Sequence, residues 1–194
     1  MKNILLICLF VIAALSCKAQ TLPSSQNIIP VEQHIINLNN EVEVPDNTYY
    51  KDINNLFNKY IGVWTGNYNN KSYKFIVSKI NKSFLGITVD KLIIKYKITD
   101  DNGNIIVDTS NIPDDDPLVI EGDYLNENGE TYHLDYMGEN YICGQNGYIG
   151  IAVINNGLQM NLGFALRGEK TQSCQTGLAE QVFPINTIML LTKQ

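Results

Sequence analysis

From Gly62 onward the chain repeats one pattern, in which stretches of strand length alternate in hydrophobicity and are separated by turn residues. Between Leu158 and Leu166 every second side chain is large and apolar, and the residues between them are polar or small. Because side chains of a strand alternate between the two faces of a sheet, this pattern predicts a half-buried strand. Turn signals at Asn102-Gly103, Asn128-Gly129 and Asn155-Asn156-Gly157 predict hairpins. We therefore predict an all-β domain of about eight to ten antiparallel strands, arranged as a barrel or a sandwich.

One segment before Gly62 has a helical period instead. Within Asp52 to Tyr60 the apolar side chains of Ile53, Leu56, Phe57 and Tyr60 fall on one stripe, so we predict one short N-terminal helix that ends before Gly62. Residues 17–47 are polar and rich in Asn, and they contain three prolines. This composition predicts a tether or an extended strap ahead of a domain that spans residues 48–194.

The first residues have the pattern of an export signal. Lys2 supplies a positive charge, an apolar run extends from Ile4 to Leu15, and small residues follow, so residues 1–16 are predicted to be a signal peptide. The run is shorter than the roughly 20 apolar residues that a membrane-spanning helix needs. The sequence allows two alternative cleavage sites. Ala14-Leu15-Ser16-Cys17 resembles a bacterial lipobox, which would acylate Cys17 and place the protein on the outer membrane, facing the periplasm or the cell surface. Cleavage after Ala19 would instead release a soluble periplasmic or secreted protein.

The net charge of the chain narrows the possible binding partners. The full chain has a net charge of −6, and removal of residues 1–16 takes away Lys2 and no acid, which leaves −7. This balance argues against a nucleic-acid partner and against an electrostatic docking face for anionic lipid.

In an oxidising compartment we expect Cys143 and Cys174 to form a disulfide, and the alternative is two separate buried thiols.

Side chains capable of catalysis or metal binding do not form a recognisable pattern. His133 and Asp135 share one strand face, but no G-x-S-x-G motif accompanies them. The acidic run 114–116 lacks the central Gly and the terminal acid of a calcium loop, and the histidines have no zinc spacing with the cysteines. We therefore predict no enzyme activity, no metal and no cofactor.

The stretch from Phe57 to Gly66, with Gly62-Val63-Trp64 at its centre, resembles the N-terminal signature of the lipocalins and the wider calycin group. The resemblance implies an antiparallel up-and-down barrel of calycin (lipocalin-like) type. It also implies that Trp64 closes one barrel end, with a basic side chain from the last strands across its ring. Arg167, the only arginine of the chain, is the first candidate for that partner and Lys193 is the second.

A second resemblance covers most of the mature chain. It rests on the segments Ile36-Asn37-Leu38-Asn39, Val44-Pro45-Asp46-Asn47-Thr48-Tyr49-Tyr50-Lys51-Asp52, Gly62-Val63-Trp64, Phe183-Pro184-Ile185-Asn186 and the end at Lys193-Gln194. These are similar to a domain-of-unknown-function family of small exported Bacteroidota proteins and lipoproteins. The resemblance implies a secreted or lipid-anchored β-rich domain, without an assigned activity.

Two functions from different classes follow. The first is an exported, lipid-anchored, lipocalin-like protein of unknown molecular function that holds a small apolar ligand in its barrel. Small inward residues such as Gly122, Gly150 and Ala152 would open the cavity that such a ligand requires. The second is a non-enzymatic interaction or structural module with a filled barrel, whose protein partner the sequence does not identify. The large side chains on the aligned strand faces favour a filled barrel.

Overall fold

The structure is a computed structural model that describes residues 26–194. The predicted signal peptide at residues 1–16, the predicted acylation site at Cys17 and the alternative cleavage after Ala19 lie outside these residues. Among the residues described, no helix has the length and apolar character needed to cross a bilayer.

The part of the chain that the structure describes contains eleven strands, one α-helix and one 3-10 turn. In chain order they are β1 (Asn27–Pro30), α1 (Gln33–Asn39), β2 (Thr48–Lys51), β3 (Gly62–Tyr68), β4 (Lys71–Phe84), β5 (Ile87–Thr99), β6 (Ile105–Asp108), β7 (Ile120–Leu125), β8 (Thr131–Met137), β9 (Asn146–Ile154), the 3-10 turn (Asn155–Gly157), β10 (Gln159–Leu166) and β11 (Ile188–Lys193).

Eight of these strands form a closed antiparallel barrel. Strands β3, β4, β5, β7, β8, β9, β10 and β11 follow each other around the wall in chain order, with β6 paired to β5 off this path. The pairing of β5 with β7 and of β11 with β3 completes the ring, and the last pair places Lys193 opposite Trp64. Closure leaves the wall without an unpaired edge. The predicted all-β, antiparallel barrel is confirmed.

One hairpin is longer than the wall of the barrel. Strand β3 pairs with β4 only as far as Val77, and β7 pairs with β5 only at Ile93 and Ile94. Residues 78–92 therefore lie beyond the hydrogen-bonded pairing with β3 and β7. Strand β2 pairs with β5 in parallel, and β1 pairs with β2 in parallel, so these two strands widen the sheet beside this extension.

Large side chains fill the interior of the barrel. The inward residues of the strands alternate with exposed ones, as the period of two predicted. Phe183, from the connection between β10 and β11, enters one end and is 2% exposed. Its ring lies within 6.4 Å, centroid to centroid, of five other rings, and these belong to Tyr73, Phe75, Tyr96, Tyr136 and Phe164.

The predicted helix over Asp52 to Tyr60 is wrong, because this segment is a series of turns and the α-helix lies earlier, at Gln33–Asn39. Asn55 adopts the left-handed conformation with φ 56°, which no α-helix allows. The Asp52 carboxylate accepts hydrogen bonds from the Leu56 and Phe57 amides at 2.7 and 3.3 Å, which stabilises the turns instead. Phe57 and Tyr60 are nevertheless fully buried, so the segment covers the end of the barrel opposite Phe183, next to Trp64.

The strand register places two small residues that were predicted to face the interior on the outer face of the barrel. Gly150 lies between His133 and Gly163, and Ala152 lies between Thr131 and Asn161, all on the outer face. Gly122 is buried and faces inward, but a Cβ there would lie 2.3 Å from the Tyr132 hydroxyl oxygen. The expected cavity-opening role is therefore wrong for Gly150 and Ala152, and the space beside Gly122 is filled by the Tyr132 side chain and the Leu92 backbone.

Candidate functional site

Trp64 closes the end of the barrel together with Gly62 and Lys193. The Trp64 side chain is fully buried, and its Nε1 donates a hydrogen bond to the Tyr60 carbonyl oxygen at 2.7 Å. Lys193 Nζ lies 5.1 Å from the Trp64 ring centroid, within the range of a cation–π contact. Gly62 has φ +133°, and a Cβ there would lie 3.0 Å from Lys193 Cε, so this position requires glycine.

The structure corrects the first candidate for the basic partner of Trp64, since Arg167 lies elsewhere. The Arg167 guanidinium is 4.3 Å from the Tyr148 ring centroid, and its Nη2 is 2.8 Å from Asp135 Oδ1. The reason is strand parity: β10 points Phe164 and Leu166 inward, so the next residue points outward. Lys193, the second candidate, has the inward parity of Met189 and Leu191.

The expected disulfide is present and secures the connection that carries Phe183. Cys143 and Cys174 have Cα atoms 5.1 Å apart, within the usual range for a disulfide. The Tyr73 hydroxyl donates to the Val182 carbonyl oxygen at 3.1 Å, and the Gln145 side-chain amide donates to the Glu180 carbonyl oxygen at 2.8 Å. These contacts hold the connection across the open end of the barrel, where it acts as a plug.

The acidic and histidine residues considered from the sequence are separated by their own partners. Asp114 pairs with Lys95 at 2.7 Å, and Asp135 pairs with Arg167. The His133 ring stacks on Tyr124 with centroids 4.7 Å apart. Within residues 26–194 no group of three or more His, Cys, Asp or Glu side chains is placed to hold a metal ion.

A groove on the outer face of the barrel contains a feature that packing does not explain. The register aligns His133, Gly150, Gly163 and Ile188 in one row across four strands, β8 to β11. The two glycines form the floor of a groove of about 290 Å³. We call this groove the outer trough; its lining residues are His133, Tyr148, Gly150, Gly163, Phe164, Ala165, Asn186, Thr187 and Ile188.

The two floor glycines are not required by the fold. Neither has a positive φ, a Cβ on Gly163 would meet no atom within 4 Å, and a Cβ on Gly150 would meet only Thr131 Cγ2, at 3.5 Å. Glycine within a strand costs roughly 0.5–1 kcal/mol relative to alanine, and it often marks a place where a ligand or another backbone approaches closely. Two such glycines side by side therefore indicate a surface kept free of side chains.

The walls of the outer trough are aromatic and carry little net charge. Tyr148 is 50% exposed, and one face of its ring is covered by Arg167, whose charge is balanced by Asp135. Burial lowers the pKa of His133, although the nearby Asp123 opposes this shift. The imidazole is therefore mainly neutral at pH 7, with one nitrogen as donor and the other as acceptor. This arrangement offers a neutral hydrogen-bonding group beside an aromatic wall.

A larger groove, of about 700 Å³, lies over the outer faces of β3, β4, β5 and β11. Its lining includes Lys74, Lys97, Thr65, Thr99 and Thr192. Lysine and threonine are ordinary side chains for the wet face of a strand, so the composition of this groove needs no ligand to explain it. We therefore consider the smaller outer trough to be the better candidate site.

Sequence reasoning missed the outer trough, although one signal could have found it. Gly150 and Gly163 each lie four residues from the pair Ile154 and Gln159 that closes the loop at residues 155–158, and both have the outward parity of their strands. A hairpin folded at that turn must place the two glycines opposite each other on the outer face.

Comparison with known proteins leaves the chemistry of this site open. No curated protein and no solved structure matches the chain. A protein-family model, described as a Family of unknown function (DUF6705), matches residues 1–149. That match covers the predicted signal peptide, the turns below Trp64 and the barrel wall as far as the first residues of β9. Since it extends over more than half of the sequence, the chain belongs to this Family of unknown function (DUF6705).

Proposed function

We propose that this protein is an exported, lipid-anchored, non-enzymatic binding module that acts through the outer trough. The observation that carries the proposal is the pair of outward-facing, half-buried strand glycines, Gly150 and Gly163, beside the exposed ring of Tyr148. Export and acylation at Cys17 come from the N-terminal sequence pattern. A non-enzymatic role is supported by the engagement of Asp135 with Arg167, which leaves His133 without that carboxylate as a proton-relay partner.

The filled interior argues against the alternative of an apolar ligand held in the barrel. The plug residue Phe183 packs against five aromatic rings, and Trp64 is buried at the other end with Tyr60. A ligand would have to displace side chains that contribute to folding, since buried aromatic residues dominate core energetics. We therefore infer that the inside of the barrel supplies stability and that the outside supplies function.

The chemistry of the outer trough fits the ring of a neutral saccharide. A sugar ring has a flat face of C–H groups, which carry a small positive charge and lie well against the negative face of an aromatic ring such as Tyr148. A floor without side chains lets such a ring approach the strand backbone. Asn186, Thr187 and the neutral His133 supply donors and acceptors for hydroxyl groups. The few polar groups around an apolar floor match the general composition of small-ligand sites.

The test measures binding of the full mature chain to an array of neutral and charged oligosaccharides, followed by calorimetry on any that bind. Gly163→Val fills the trough without disturbing the fold, because the space above Gly163 is open. Ala152→Val is the matched control, since it lies on the same strand as Gly150, faces outward and is not part of the trough lining. We expect Gly163→Val to lose at least about tenfold in affinity, which corresponds to about 1.4 kcal/mol, and Ala152→Val to bind as the wild type does.

A fluorescent fatty acid tests the competing function. Saturable binding of that probe, unaffected by Gly163→Val, would place the ligand inside the barrel and overturn the proposal. The anchor has a separate test: Cys17→Ser should move the protein from the membrane fraction to the soluble fraction. A wild-type chain that is already soluble and begins at Gln20 would refute acylation at Cys17.

A further inference from the structure

We propose that the tip of the β4–β5 hairpin is a membrane-contacting surface that orients the barrel on the bilayer to which the protein is anchored. The tip consists of Phe84, Leu85 and Gly86. This inference rests on the lipid anchor proposed above, and it adds a second contact with the same membrane.

The tip exposes two large apolar side chains at the end of a projecting element. Phe84 is 75% exposed and Leu85 is 79% exposed, the highest exposures among the large hydrophobic residues described. The hairpin continues for residues 78–84 beyond the last contact of β4 with β3, which is a distance of about 23 Å at the rise of a strand. Both side chains therefore present most of their surface to solvent, although Phe84 also lines a groove with His34 and Glu121.

The backbone conformation at the tip is unfavourable for leucine, so folding alone does not explain why position 85 is Leu. Leu85 has φ 48° and Gly86 has φ 81°, so both residues of this two-residue turn are left-handed. Such turns favour Asn or Asp followed by Gly, because branched apolar side chains are disfavoured in the left-handed region. Leu85 gains no burial in compensation, and its presence here suits contact with an apolar partner.

The path of the N-terminal chain identifies that partner as the membrane. The Asn27 amide donates a hydrogen bond to the Asn47 carbonyl oxygen at 3.2 Å, and the Asn47 amide donates to the Gly86 carbonyl oxygen at 2.8 Å. The first strand therefore begins beside the hairpin tip. The ten residues from Cys17 to Gln26 span at most about 33–36 Å when fully extended. An acylated Cys17 would consequently keep the tip, and not the plug end of the barrel, close to the bilayer.

The charges near the tip favour an apolar contact over an electrostatic one. Asp46 lies beside Gly86, with its Oδ1 3.5 Å from the position of a Cβ there, and Lys82 is paired with Glu121. Neither arrangement presents a free positive charge to anionic headgroups. We therefore expect the tip to insert into zwitterionic lipid, with Phe84 and Leu85 at the boundary between headgroups and acyl chains.

The experiment uses the full chain, processed in a bacterial envelope and reconstituted into phosphatidylcholine vesicles whose acyl chains carry bromine, which quenches indole fluorescence on contact. Phe84→Trp places an indole at the tip, and Leu178→Trp places one on an exposed residue of the plug connection. The unmodified chain gives the background from the buried Trp64. We expect quenching at Phe84→Trp to exceed that at Leu178→Trp by at least about threefold, because only the tip buries its apolar area in lipid. Adding Leu85→Asn, which suits the left-handed backbone, should preserve folding and reduce the quenching of the tip indole.

Mass spectrometry of the processed chain separates the two ways of failing. An acylated chain whose tip indole is quenched no more than the control overturns the tip contact and leaves the anchor intact. Cross-linking of such an unquenched tip to an envelope protein assigns it to a protein partner, which also overturns the proposal. A processed chain that begins at Gln20 without lipid removes the tether argument and overturns both the anchor and the tip contact.

Discussion

Replacement of the plug residue, Phe183→Ala, should destabilise the barrel more than truncation of any other apolar side chain in the connection between β10 and β11. The side chain is 2% exposed and packs against five rings, so its loss removes a fully buried aromatic residue. Transfer of a buried Phe side chain to water costs about 1.5–3 kcal/mol. A residual cavity on the order of 100 Å³ adds about 2 kcal/mol at ~24 cal/mol per Å³. We therefore expect the free energy of unfolding to fall by about 3–5 kcal/mol, out of a typical total of 5–15.

Urea denaturation, followed by circular dichroism and by the fluorescence of the single tryptophan, measures this change. Ile185→Ala is the matched control, because it lies in the same connection but is 40% exposed, and it should cost much less. The Phe183→Ala variant should also bind benzene in the vacated space, whereas the wild type should not. A loss below about 1 kcal/mol, equal to that of Ile185→Ala, would refute the view that Phe183 is a core residue of the barrel.

Three further outcomes follow from contacts in the structure. Lys193→Ala should cost about 1 kcal/mol and change the emission of the tryptophan, through loss of the cation–π contact and of stem packing, while Arg167→Ala should leave that emission unchanged. Reduction of Cys143–Cys174, which are 31 residues apart, should lower the free energy of unfolding by roughly 3–4 kcal/mol on the chain-entropy model, and thermal melts with and without reductant measure this. Burial alone would raise the pKa of Glu121, but hydrogen bonds from Lys82 and Lys91 hold it below its ordinary value. The stability that this carboxylate contributes should therefore be present above pH 4.5 and be lost as the pH falls through its folded pKa. The difference between wild type and Glu121→Gln in denaturation at pH 7 and pH 3 tests that sign.

The parts of the fold that depend on strand alternation could be predicted from the sequence. Strand β10 has the predicted inward face from Met160 to Leu166, whereas Leu158 precedes the strand and is 60% exposed. The turns around Asn128-Gly129 and Asn155–Gly157 are hairpins as predicted. Period-two patterning and turn chemistry act locally, so they are readable without knowledge of the neighbouring strands.

The features that the sequence predicted wrongly depend on competition between local conformations or on strand register. Of the predicted helical stripe, Phe57 and Tyr60 are buried but Ile53 is 49% exposed. The Asp52 carboxylate and the left-handed Asn55 favour turns over a helix. Helix α1 escaped notice because it buries none of its residues and so lacks a clear apolar stripe. The partner of Trp64 was assigned by residue type, whereas the parity of Lys193 with Leu191 decides which side chain points inward.

The seam between β3 and β11 has a consequence for the rate of folding. Thr65, in β3, contacts Gln194, just after β11, although the two residues are 129 positions apart in the sequence. Ordering so long a loop carries a large entropic cost before any contact is gained, and all-β topologies of high contact order fold in milliseconds to seconds. Until β11 arrives, β3 and β10 each present an unpaired edge. The ring therefore cannot close on a nascent chain that has not yet released its last strand. For a protein that we propose to be exported, this delay keeps the polypeptide unfolded while it is threaded through a translocation channel, and it makes edge-to-edge aggregation the characteristic failure of any variant that slows the final closure.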